Sequence, residues 1–157
     1  MRYLFLLPLL IVVSCATSYQ PRGMTGGYED TQLGEHLWRV TVNGNGYTSS
    51  SVVRDYALLR ASELTLEKGY KYFYVSSDNN AQQNSVATVG GNSSRTTGNI
   101  DSFGNFNANT YYSTPTNIPI TKFGNELVFV MLNKKSDIYF VYDAQFIYDS
   151  LSAKYIK

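Results

Sequence analysis

The 157-residue chain has one cysteine, one histidine and one tryptophan. A single cysteine and a single histidine are too few for a zinc site built from Cys and His, and they leave a Ser-His-acid triad no choice of base. We therefore expect no catalytic residue, no metal site, no cofactor and no enzymatic activity. His36, at the start of a predicted strand, is expected to be a surface or packing residue.

An excess of either charge is also missing, because 13 Lys and Arg residues face 12 Asp and Glu residues for a formal net charge of +1. A near-neutral chain without basic runs gives little electrostatic support to nucleic-acid binding. What the chain has in quantity is aromatic side chains, at 15% with 14 tyrosines. Such a composition favours strands with one buried face.

The longest apolar run stands near the start, where Arg2 precedes Tyr3 to Val13. About eleven helical residues rise only ~17 Å, too little for a hydrocarbon core of ~30 Å. The run is typical of a signal peptide, predicted over residues 1–14.

The segment "VVSC", from Val12 to Cys15, resembles the lipobox of bacterial lipoproteins. The resemblance implies that the Cys15 thiol carries a diacylglycerol, that cleavage falls between Ser14 and Cys15, and that the new amino terminus is acylated. Ala16 rather than Asp follows, which in Gram-negative lipoproteins implies sorting to the outer membrane. A disulfide has little support, because a lone cysteine has no partner within the chain.

Residues 15–34 contain Pro21 and four glycines without apolar periodicity. This composition predicts a lipidated N-terminus followed by a tether or an extended arm. Residues 35–157 are expected to form a single domain. The "GNGYTS" stretch at 44–49 is expected to be a turn that leads into a helix cap, since it lacks the Lys-Ser/Thr ending of a phosphate-binding loop.

Hydrophobic periodicity predicts strand, helix and strand in succession. Residues 37–42 alternate as in a strand, residues 50–68 have helical spacing with Ser50 or Ser51 as the cap, and residues 70–75 alternate again. This βαβ-like unit leaves open whether the two strands are neighbours or are separated by another strand. Residues 127–132 predict a central strand covered on both faces. A short strand or extended turn at 138–142 and a C-terminal helix from about Asp143 complete an α+β fold with a small mixed sheet.

The insertion at about 77–120 is rich in Asn, Ser and Thr. Two interpretations stay open for it: a variable, mobile segment, or a binding loop. Ile100, Phe103, Phe106, Tyr111 and Tyr112 also make a hairpin over part of it plausible.

Three segments, "GGYEDTQLG" at 26–34, "NGNGYTS" at 43–49 and "DYALLRASELTLEKGYKYF" at 55–73, resemble a family of small uncharacterised envelope lipoproteins of Gram-negative bacteria. The resemblance covers roughly residues 15–75, and the Asn/Ser-rich insertion departs from the family. It implies location and architecture and adds no catalytic residue.

Arg60 and Glu63 lie on or near the apolar stripe of the helix within the longest of these segments. They are expected either to lock the helix onto the sheet or to form a binding face. Glu63 and Glu67 could make a carboxylate pair, but Arg60 and Lys68 beside them favour an ion-paired helix face.

Three functions are consistent with these features. The first is a non-enzymatic lipoprotein, held in the membrane through Cys15, that binds an envelope protein or assists assembly at the periplasmic face of the outer membrane. The second is a module that binds peptidoglycan, for which exposed tyrosines and amide-rich loops are suitable surfaces. The third is a hydrolase.

Overall fold

The computed structural model describes residues 15–91, 93–137 and 140–156. The predicted signal peptide and the first part of the predicted strand at 138–142 lie outside these residues. In the described part, the elements in chain order are β1 Gly27–Gln32, β2 Leu37–Asn43, α1 Ser50–Glu67, β3 Tyr72–Val89, β4 Ser94–Ile100, β5 Phe106–Tyr112, β6 Thr116–Leu132, β7 Tyr142–Asp143 and α2 Ala144–Tyr155.

The predicted α+β class is confirmed. A five-stranded sheet has the order β1-β2-β6-β3-β7, with hydrogen-bonded neighbours antiparallel. Because β2 and β3 both run antiparallel to β6, they are parallel to each other with β6 between them. The β2-α1-β3 unit is therefore a βαβ connection split by one strand, one of the arrangements that the sequence left open.

Helix α1 has the predicted extent, and its cap lies one residue before the predicted serines. The Ser49 side chain accepts from the Val52 N–H, and Gly69 follows the helix with a φ of 81°. Its buried stripe includes Val53, Ala57, Ala61 and Leu64, as the spacing predicts. Leu59 is fully buried as well, whereas Leu58 is only partly buried.

Helix α2 confirms the predicted C-terminal helix. The Asp143 side chain caps it by accepting from the Phe146 N–H at 3.0 Å. Near its other end, Tyr155 Oη and Lys154 Nζ donate to the Asp55 carboxylate of α1 at 2.6 and 2.9 Å. Neither described helix is long and apolar enough to cross a membrane.

The core lies on one side of the sheet, where α1 packs against β2, β3 and β6. Alternate residues of β6 are buried there, namely Leu127, Phe129 and Met131. The prediction that β6 is covered on both faces is wrong, because Val128, Val130 and Leu132 on its other face are only partly buried. A fully apolar strand can thus belong to a sheet with one covered side.

The prediction of a tether over 15–34 is also wrong. Strand β1 pairs with β2 along its whole length, from Gly27 opposite Asn43 to Gln32 opposite Trp38. An edge strand has one neighbour, and this one is polar and largely exposed, so it lacks the apolar alternation by which strands are recognised. It is held by pairing with β2 and, on its outer side, by backbone bonds between Tyr28 and both Gln20 and Arg22.

The insertion consists mostly of strands and is not a structureless loop. From Gln82 opposite Phe123 to Val89 opposite Thr116, β3 and β6 continue beyond the end of β2 as a two-stranded ribbon. Between them the chain forms a second sheet, in which β4 pairs with β5. The hairpin expected around Phe106 and Tyr112 is confirmed, and all residues of β4 and β5 are exposed.

Candidate functional site

The first described residue, Cys15, is exposed, and the chain holds it through its backbone. The Asn45 side-chain amide donates to the Cys15 carbonyl at 2.7 Å. The same side chain organises the turn before α1, because its Oδ1 accepts from the Tyr47 N–H at 2.9 Å and from the Thr48 hydroxyl at 3.0 Å. One asparagine therefore joins the predicted lipidation site to the turn that leads into the helix.

Thr17, two residues after Cys15, is 2% exposed. Its N–H donates to the Thr48 hydroxyl at 2.9 Å, and its own hydroxyl donates to the Thr25 carbonyl at 2.7 Å and accepts from the Asn45 N–H at 3.0 Å. Its carbonyl accepts from the Tyr56 hydroxyl at 3.1 Å. Two residues span at most about 7 Å, so Cys15 has a defined place on the domain.

The "GNGYTS" turn also brings the ribbon close to Cys15. A Cβ at Gly46 would lie 2.7 Å from Ile120 Cγ2, a distance that real side chains do not adopt without a shift. Glycine at this position therefore permits the ribbon to pack against the turn. The prediction that this stretch is a turn feeding a helix cap is confirmed, with Ser49 as the cap.

An apolar groove lies beside Cys15, between the turn and the ribbon, and it extends along the ribbon from Phe123 to Val89. Its volume is about 580 Å³. Its lining includes two strongly exposed side chains, Tyr47 at 78% and Val89 at 55%. We call this surface the Cys15 groove; its main lining residues are Cys15, Tyr47, Val89, Ile118, Ile120, Lys122 and Phe123.

Arg60 and Glu63 belong to a different site, between α1 and β1. The Arg60 guanidinium donates to both carboxylate oxygens of Asp30 at 3.3 Å, to Glu63 at 3.0 Å and to Glu67 at 3.2 Å. It also lies 4.9 Å from the centre of the Tyr28 ring. Burial disfavours the charged guanidinium, but the bonds to Asp30 and Glu63 outweigh it and raise the pKa of Arg60.

Tyr19 completes this cluster. It belongs to residues 15–26, the segment between Cys15 and β1, which we call the arm. Its hydroxyl donates to Glu63 at 2.5 Å, and its ring contacts the rings of Tyr28 and Tyr56 with centroids at 4.9 and 5.4 Å. Burial, followed by the hydrogen bond to Glu63, raises the pKa of the Tyr19 hydroxyl. Arg60 and Glu63 thus join α1 to β1 and to the arm, as expected of residues that lock the helix onto the sheet.

The carboxylates of Glu63 and Glu67 lie together, at a small cavity of about 220 Å³ that Leu66 and Tyr148 also line. Both bind the Arg60 guanidinium. Within residues 15–91, 93–137 and 140–156, no cluster of three or more His, Cys, Asp and Glu side chains could hold a metal ion. His36 is exposed and bonds through Nδ1 to the Tyr70 hydroxyl at 2.8 Å.

No family model, curated protein or solved structure matches this chain. The resemblance to envelope lipoproteins therefore stays a prediction from the quoted segments.

The sequence alone did not identify the residues that hold the arm. Thr17 and Tyr19 stand in a stretch with Pro21 and four glycines, where polar residues usually indicate a loop. Asp30 could not be assigned to Arg60, because the partnership depends on the strand register of β1. Part of the apolar lining of the Cys15 groove is visible in the sequence, because Ile118 and Ile120 alternate with polar or turn residues as in a strand.

Proposed function

We propose that the protein is a non-enzymatic lipoprotein of the Gram-negative envelope. Acyl chains on Cys15 anchor it at the periplasmic face of the outer membrane, where the domain binds another envelope protein or assists assembly. The observation that carries this proposal is the "VVSC" segment followed directly by residues that bind the folded domain: Cys15 through Asn45, and Thr17 through Thr48.

The bonds between residues 15–17 and the domain limit how the domain can orient on the membrane, which a flexible tether would not do. Each buried methylene contributes ~0.8 kcal/mol to membrane binding, so a cysteine carrying two or three acyl chains stays in the bilayer. Because the backbone of residues 15–17 is bonded to the turn before α1, the domain is held near the lipid surface in a restricted range of orientations. Such a protein presents the same face of its domain to its binding partner.

The open face of the sheet, on the side away from α1, is the surface that supports protein binding. Leu37, Val130 and Tyr74 lie in one row across β2, β6 and β3, and Tyr72 and Leu132 form the next pair. All five side chains are partly buried rather than buried. Contiguous apolar surface of this kind, rimmed by polar residues, is typical of interaction sites.

Peptidoglycan binding is the second candidate, and one cleft favours it. The cleft measures about 350 Å³ and brings side-chain amides together near the root of the ribbon. Amides supply both donors and acceptors for sugar hydroxyls. Its lining includes Met24, Asn43, Asn45, Gln82, Gln83 and Phe123.

The anchor is tested by substituting the cysteine. Cys15→Ala should abolish incorporation of labelled fatty acid and leave the precursor unprocessed by the lipoprotein signal peptidase. Ser14→Ala keeps a small residue before the cysteine and should be processed and labelled as the original protein is. A Cys15→Ala protein that still fractionates as a mature, acylated lipoprotein would contradict the proposal.

The binding face is tested by crosslinking in cells. A photoreactive amino acid at Val130 should capture a defined envelope protein, whereas the same group at Phe146, exposed on α2, should not. Capture of peptidoglycan fragments from position 82, with none from position 130, would instead favour the glycan-binding candidate. Equal capture of many proteins from positions 130 and 146 would count against a specific face.

A further inference from the structure

The Cys15 groove is an apolar surface that the core does not use. Tyr47, Val89 and Ile118 are 78%, 55% and 45% exposed and lie around it. Among the described residues that line the groove there is no carboxylate, and Lys122 is the one with a charged side chain. An exposed apolar cluster on a strand ribbon normally requires a cover.

The position of Cys15 indicates what covers the apolar residues of the groove. Cys15 itself lines the groove, and its backbone is bonded to Asn45, another lining residue, at 2.7 Å. Acyl chains on the thiol and on the amino group would begin at this groove, and the bilayer that takes them up would lie against its rim.

We propose that the Cys15 groove is a membrane-contact surface that rests on the bilayer beside the lipid anchor. This inference rests on the proposed lipidation of Cys15. Tyr47, Val89 and Ile118 enter the boundary between headgroups and acyl chains, and the ribbon lies along the lipid surface up to its far end. The domain is therefore held at two places, by its acyl chains and by these side chains.

The chemistry of the lining fits a lipid surface. Tyrosine is enriched at membrane interfaces, where its ring lies among acyl carbons and its hydroxyl reaches water. Lys122 can lay its aliphatic stem along Ile120, which shares its face of β6, while its ammonium group reaches a lipid phosphate. A groove without carboxylates meets no repulsion from anionic phosphates.

Two valines of β3 provide a matched pair for the test. Val89 lines the groove, while Val86 is three residues away, so alternation places it on the opposite face of the ribbon. Their exposures are similar, at 55% and 65%. In the acylated protein the Cys15 thiol is blocked, so Val89→Cys or Val86→Cys supplies the only thiol for a polarity-sensitive dye.

The full acylated protein is reconstituted into phosphatidylethanolamine/phosphatidylglycerol vesicles, with acylation verified by mass and folding by circular dichroism. We expect the dye at position 89 to show blue-shifted emission and at least twofold stronger quenching by brominated lipids than the dye at position 86. Tyr47→Asp combined with Val89→Cys should reduce that quenching.

Each other outcome overturns the inference. Acylated protein with equal, weak lipid quenching at both positions contradicts membrane contact and leaves the proposed function intact. A blue shift at position 89 without lipid quenching means that a second copy or another protein covers the groove. Protein that carries no acyl chain contradicts the proposed function, and the inference fails with it.

Discussion

The N–H of Thr17 donates to the hydroxyl of Thr48 at 2.9 Å, although the two residues are 31 positions apart. Both are buried, at 2% and 4% exposure. The bond connects the arm after Cys15 to the turn that caps α1. Any force that acts on the anchor is thereby transmitted to α1, which contributes more buried apolar residues to the core than any other described element.

Replacing Thr17 should loosen this connection. Thr17→Val keeps the shape of the side chain but removes the hydroxyl that bonds the Thr25 carbonyl and the Asn45 N–H. A group left unsatisfied in the interior costs roughly 1–3 kcal/mol, and because both bonds are only partly buried we use the low end for each. We therefore expect a loss of about 2 kcal/mol in the free energy of unfolding, measured by urea denaturation. Thr31→Val, at an exposed position of β1, is the control. Equal stability of the two variants would show that the arm is not held as described.

The elements found from sequence are those whose own residues carry the pattern. Helix α1 shows its stripe at Val53, Ala57 and Ala61 and its stop at Gly69, so its type and extent are predictable. Strand β1 contributes few apolar residues and exists because β2 offers a free edge. The position of β1 in the sheet follows from the register of its pairing with β2, which the residues of β1 do not reveal by themselves.

The candidate sites divide in the same way. Arg60 and Glu63 are three residues apart on one helix, so their contact follows from local spacing. Asp30 and Tyr19 come from distant parts of the chain. No local sequence pattern predicts that Asp30 contacts Arg60 or that Tyr19 contacts Glu63. The Cys15 groove was missed because it forms only when the ribbon packs against Gly46.

Arg60 should be important for stability. Its side chain is 15% exposed and that of Glu63 is 16% exposed. Removing one partner of a buried ion pair leaves the other charge uncompensated. Arg60→Met should therefore cost about 2–4 kcal/mol by this reasoning, measured by thermal and urea unfolding. Arg39→Met is the control, because Arg39 is more exposed and lies 3.9 Å from its partner Glu126.

A double variant separates the ion pair from simple packing. Arg60→Met with Glu63→Gln should cost less than the sum of the two single substitutions, because one of the three carboxylates that lose Arg60 is then neutral. Strict additivity would mean that Arg60 and Glu63 do not interact in solution.

Tyr19 predicts a dependence of stability on alkaline pH. Burial and Glu63 raise its pKa in the folded protein, whereas the unfolded chain ionises near pH ~10. The contribution of Tyr19 is therefore complete below pH ~10 and is lost above it, by up to about 1.4 kcal/mol per pH unit. Tyr19→Phe should have a lower free energy of unfolding than the original protein at pH 8, and this difference should shrink between pH 10 and 11.

Tyr47→Phe, at an exposed position, is the control and should show the same change of stability with pH as the original protein. A constant deficit of Tyr19→Phe from pH 8 to 11 would contradict the raised pKa.

The β4-β5 hairpin should be dispensable for folding. Val89 and Thr116 are directly opposite each other, so residues 90–115 can be replaced by Asn-Gly, which forms a two-residue hairpin turn. All side chains of β4 and β5 are exposed, and we expect the free energy of unfolding to change by less than ~0.5 kcal/mol. A deeper cut that joins Ala81 to Gly124 through Asn-Gly is the contrast. It removes Phe123, which packs against the core, and should be clearly destabilised. If the shorter cut fails to fold, the hairpin stabilises the sheet; if it folds but loses the captured partner, the hairpin contains the binding surface.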